Sequence, residues 1–130
     1  EFIRQGWVGA NTVPLMGTET YDPATNIWVE TSNMHESRKN HASLVLNDGR
    51  VIVVGGKDEK TVIDAYDPTS IEEMKWPTIG VLAEHRIELY TASLLNDGRV
   101  IIVGGFFIDE NKKTRAIASA ELFDPSVVVE

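Results

Sequence analysis

The chain predicts an all-β fold in which one four-stranded antiparallel unit is used repeatedly. Two observations predict it. The line Leu46-Asn-Asp-Gly-Arg-Val-Ile-Val-Val-Gly-Gly56 returns almost unchanged as Leu95-Asn-Asp-Gly-Arg-Val-Ile-Ile-Val-Gly-Gly105, a period of 49 residues (46 to 95). A repeat of that length marks one supersecondary unit copied several times. Within each copy, Asn-Asp-Gly separates two apolar runs, the strongest short-range signal for a β-hairpin because its tight turn needs positive φ.

The middle unit shows every part. Residues 41–46 read as a first strand, Asn47-Asp48-Gly49 as its turn, and 50–54 as a Val- and Ile-rich returning strand buried on both faces. Gly55-Gly56 stops that strand, and Lys57 opens a charged loop over 57–60. A third strand is predicted over 61–66, then a turn at Asp67-Pro68-Thr69-Ser70. A fourth short strand is predicted to hold Trp76. Upstream, Tyr21-Asp22-Pro23 and Trp28 repeat the third and fourth strands, and 3–8 reads as a further strand. Downstream, 90–95, 99–103 and 120–125 repeat strands one to three, with a long loop over 106–116. Tyr21 and Trp28 are seven residues apart, Tyr66 and Trp76 ten, so the middle unit carries a three-residue insertion. Insertions confined to loops are what stacked repeats tolerate.

Composition narrows the function classes. A net charge of −8, from 20 acidic and 12 basic residues, disfavours nucleic acid, whose phosphates need clustered Lys and Arg. The longest apolar runs are strand-sized, so no membrane span is predicted. With no cysteine there is no disulfide, thiolate metal site or thiol nucleophile. His35, His41 and His85 lack ligand spacing, so no metal and no cofactor are expected. Asp109-Glu110-Asn111 reads as a solvated turn, and no nucleophile elbow, zinc-protease or phosphate-loop motif is present.

The order Asn-Asp-Gly-Arg, apolar strand, Gly-Gly, aromatic-Asp-Pro, Trp resembles the kelch repeat, from about Thr18 to Pro125. That resemblance implies that each unit is one blade of a β-propeller: an incomplete blade over 1–34, a complete one over 35–82 and a third over 83–130. The first unit departs from the pattern by lacking Gly-Gly, and Glu130 stands where the third would place Trp. About 2.7 blades fit the chain, whereas closed propellers hold about 4–8, so a partial propeller or a protomer of a multi-chain ring is expected.

Kelch propellers bind through the loops between strands two and three and those linking blades, here 57–60, 106–115, 35–40 and 83–89. The resemblance makes this a non-enzymatic module for a protein or acidic-peptide partner, with Arg38, Asn40, Lys57, Arg86, Phe106 and Phe107 as binding candidates. Arg38 and Arg86 are read either as an anion-binding pair at the channel mouth or as internal ion-pair partners, Arg38 pairing with Glu36 or a neighbouring blade's acid. Equating the two requires a one-residue slip. Phe106-Phe107 reads as a platform or as loop packing, and Tyr90 and His41 as core fillers in one shared slot. The alternative is a segment of a galactose-oxidase-like or carbohydrate-binding propeller. Copper-radical oxidases of that group use a Tyr–Cys crosslink, which a chain without Cys does not supply.

Overall fold

The computed structural model describes residues 2–5 (as backbone), 16–34, 38, 40–55, 61–69 and 76–126. These form eleven strands in three antiparallel sheets, with no helix among the described residues. The first sheet joins β1 (Phe2–Gln5), β2 (Thr18–Asp22) and β3 (Ile27–Glu30) in sequence order. The second is a four-stranded meander of β4 (Ala42–Val45), β5 (Val51–Val54), β6 (Val62–Tyr66) and β7 (Thr78–Val81). The third holds β8 (Glu88–Leu94), β9 (Val100–Ile108), β10 (Thr114–Ala116) and β11 (Ala120–Phe123). The all-β blade architecture predicted from the repeat is the one observed.

Each turn carries its own chemistry. In the first repeated line, Leu46 and Arg50 close a three-residue loop in which Gly49 takes φ +91°. This is a type I turn followed by a left-handed residue. Asp48 accepts from the Arg50 amide at 3.0 Å and from its Nε at 2.8 Å, and Asp97 repeats both contacts with Arg99 at the same lengths. The Asp-Pro turns are equally uniform: Asp22, Asp67 and Asp124 each accept, at 2.9 Å, the amide two residues on. Side chains that satisfy backbone donors locally explain why these residues recur.

The core lies between sheets. Alternation along β5 turns Val51 and Val53 toward Met34, Tyr66 and Trp76, and turns Ile52 and Val54 toward Leu82 and toward Tyr90, Val100 and Ile102 of the next unit. Burial on both faces is therefore the reason for its unbroken Val/Ile run. Hydrogen bonds between units and one close approach lock the stack. Trp76 Nε1 donates to Ser32 O at 3.0 Å, Tyr90 Oη to Val54 O at 2.6 Å, and Arg50 to Pro125 O at 3.2 Å. Phe123 packs on Gly80 so closely that a Cβ there would meet its ring at 2.5 Å.

Three expectations are corrected. Trp76 precedes its strand rather than lying in it; it still meets Tyr66 at 5.1 Å, as Trp28 meets Tyr21 at 5.0 Å. The ring pair is thus kept despite the three extra residues between its members. Gly104-Gly105 does not stop β9, which runs on to Ile108 with both glycines at positive φ. The segment 106–116 is consequently a hairpin rather than a loop, Ile108 pairing with Thr114 and Phe106 with Ala116. Its tip repeats the Asn-Asp-Gly geometry, with Lys112 at φ 60° in the glycine's place and Asp109 accepting from Asn111 and Lys113.

Candidate interaction surface

Two buried arginines shape the connections between sheets. The Arg38 guanidinium donates to Gly55 O at 2.6 Å, Val62 O at 3.3 Å and Asp64 Oδ2 at 2.5 Å. Arg86 makes the matching set, to Gly104 O at 2.6 Å, Ser119 O at 3.1 Å and Glu121 Oε2 at 3.1 Å. Both side chains are fully buried. Each therefore pins its inter-sheet connection to the first glycine of the doublet and to the strand that leads into the aromatic-Asp-Pro turn, β6 or β11. A buried cation held this way is compensated by a carboxylate and by backbone carbonyls together.

The matching partners equate Arg38 with Arg86 across 48 residues, while Asn40 and Leu89 share a backbone conformation across 49 (φ 54° and 60°). The slip foreseen in the sequence lies between Arg86 and Leu89. Among the described residues, Asp64 and Glu121, the acids of these pairs, are in the arginine's own sheet rather than in a neighbouring blade. One signal could have found them: Glu19, Asp64 and Glu121 each stand two residues before the aromatic of the aromatic-Asp-Pro turn.

The remaining candidates fall as follows. Asn40 is exposed and left-handed, a conformation that Asn tolerates. Lys57, His35 and Glu36 lie outside the described residues. Phe106 is half-buried in β9, between Glu88 of β8 and Ala116 of β10, while Phe107 beside it is 37% exposed. Tyr90 fills the core as expected; burial pushes its phenol up to about 12 against the opposing pull of Arg38.

Leu89 was not legible as a site residue. It is 82% exposed and holds φ 60°, a combination that costs roughly 1 kcal/mol of backbone strain. A cavity of about 470 Å³ opens beside the same connection, lined by Glu84, His85, Phe107 and the 116–119 segment. Glu84 accepts from Ser119 Oγ at 2.5 Å, and Glu121 accepts from the Ala83 amide at 2.6 Å, which ties the connection to the hairpin and β11. Among the described residues no three His, Cys, Asp or Glu side chains come together as metal ligands.

Comparison with known proteins follows the same lines. No protein-family model matches the chain. Half of it, 65 residues, is 34% identical to Kelch-like protein 7 of Rattus norvegicus and of Mus musculus. The chain spans 11% of the length of those relatives. Among solved structures it is similar to a fungal alcohol oxidase of the AA5 family in complex with copper, with a TM-score of 0.66 and 16% identity. That match covers 92% of this chain and 24% of the oxidase. At such identity the likeness is one of fold.

Proposed function

We propose that this chain is part of a kelch-type interaction module that recognises a protein partner through its inter-sheet connections and the β9–β10 hairpin. The observation that carries this is Leu89. An exposed leucine held left-handed, where the preceding unit has Asn40, works against stability twice, through strain and through exposed apolar area. Local rules broken without structural return concentrate at functional positions. Exposed Phe107 and Ile108 on the adjoining hairpin extend the apolar surface that a partner would cover. Asn40, Lys57, Phe106 and Phe107 are the other contact residues of this proposal. Arg38 and Arg86 hold the connections in shape from beneath. Further sheets, from this polypeptide or from a second copy, would cover the outer sheet faces in the same scheme.

The test uses a peptide selected from a display library against the 130-residue chain. Leu89→Asn relieves the strain and removes the anchor. It should raise the thermal midpoint slightly and weaken the selected peptide about tenfold, within the range for an interface anchor. Unchanged affinity, with the fold intact, would remove the basis of the reading.

A further inference from the structure

The cavity beside Arg86 differs in charge from what an acidic-peptide site requires. Arg86 faces two carboxylates, Glu121 at 3.1 Å and Glu84 at 3.5 Å, so the cluster of three keeps one negative charge in surplus. Glu121 is the more enclosed of the two: the Ala83 and Glu84 amides and Arg86 all donate to it. The Glu84 side chain is half exposed and lines the cavity, so the surplus is presented there. The other walls are a Phe107 ring and the short, mostly apolar run Ala116-Ile117-Ala118, with His85 at one side. On the adjoining hairpin Arg115 is paired with Asp109 at 2.8 Å, and Glu110, Lys112 and Lys113 stand at its tip and do not line the cavity. A volume of about 470 Å³ lies within the roughly 300–1,000 Å³ of ordinary ligand pockets.

From these features we infer that the cavity receives a lysine or arginine side chain of the partner polypeptide. The aliphatic stem would lie along Phe107 and the 116–118 wall, and its cation would meet the Glu84 carboxylate. Aromatic faces attract cations, and long basic side chains cover apolar surface with their stems. The net charge of −8 favours approach of a basic partner over an acidic one. This inference rests on the interaction-module reading and adds the chemistry of the residue recognised.

The experiment titrates the ¹⁵N-labelled 130-residue chain with four blocked amino acids: the N-acetyl amides of lysine, arginine, norleucine and glutamate. Lysine and arginine amides should give saturable shifts of the 116–119 and His85 amides. Norleucine amide, which keeps the stem and lacks the charge, should bind several-fold more weakly. Glutamate amide should leave these signals in place. Glu84→Gln, at a half-exposed position that leaves the spectrum otherwise native, should weaken the lysine amide about threefold to fivefold, the size of a partly exposed ion pair. Phe107→Ala should weaken lysine and norleucine amides together. Equal binding of norleucine and lysine, preference for glutamate, or an unchanged Glu84→Gln variant would each overturn the inference. The library-selected peptide separates the two readings. If it binds this chain without shifting residues 116–119, the module stands and the cavity assignment fails. If no peptide is selected yet lysine amide saturates the cavity, the module reading fails and the cation site stands.

Discussion

Equivalent positions in successive units meet opposite surroundings. Val54 and Ala65 are 0% and 2% exposed, while their counterparts 49 and 57 residues on, Val103 and Leu122, are 42% and 55% exposed. Trp76 is 1% exposed and Trp28 45%, although each forms the same tilted pair with its tyrosine. The residues are alike; the neighbours are not. A sheet of this kind hides one face only against another sheet, so burial belongs to the contact between repeats rather than to the repeat itself. The total surface of 8268 Å² agrees, being about a fifth above the ~6,800 Å² of a folded monomer of this mass.

Substitutions can break that comparison in order of size. Trp76→Ala empties the space between the first two sheets and removes one of the two donors to Ser32 O, leaving Thr18 Oγ1 at 2.7 Å. A loss of about 4 kcal/mol is expected, read from urea unfolding. Trp28→Ala, at the matching but exposed position, should cost under about 1 kcal/mol. Equal losses would mean that the exposed face is covered in solution, which sedimentation would then reveal.

The arginine pairs sharpen the comparison next. Arg38→Ala leaves Asp64 buried with Thr78 Oγ1, at 2.6 Å, as its one donor among the described residues, and should cost about 3 kcal/mol. Arg86→Ala strands two carboxylates that water can reach, Glu121 in part and Glu84 freely, so its loss should be clearly smaller. Double-mutant cycles with Asp64→Asn and Glu121→Gln would measure the difference, and equal coupling energies would refute it.

A smaller loss is expected at Tyr90 than at Trp76 or Arg38. Tyr90→Phe removes the donor to Val54 O and should cost about 1–2 kcal/mol near neutral pH. Burial raises the folded phenol to about 12, above the ordinary 10.0. Its contribution is therefore complete below about pH 10 and lost as pH rises through about 12. The wild-type unfolding midpoint should fall more steeply over that window than the midpoint of the Phe variant. Parallel curves would show that the phenol is not the group titrating.

Much of the fold was legible because its signals are local. Asn-Asp-Gly-Arg specifies a loop whose aspartate bonds its own arginine, and Asp-Pro opens a turn that the same aspartate caps. The site was less legible. Arg38 and Arg86 were found by spacing, yet spacing could not say that their guanidiniums point inward, because Asp64 and Glu121 lie 26 and 35 residues away. Phe106-Phe107 after Gly-Gly looked like the start of a loop. The strand continues because β8 and β10 supply partners on both edges of Phe106.

By itself the sequence determined the repeat, the strand order within each unit and the turn chemistry, since each depends on residues a few positions apart. Tertiary structure alone decided which copies of the repeat are buried, which arginine meets which acid, and that Leu89 stands exposed with a left-handed backbone at the start of β8. Those outcomes depend on which sheet lies beside which. A one-dimensional pattern of apolar and polar residues is the same whether a neighbour is present or not.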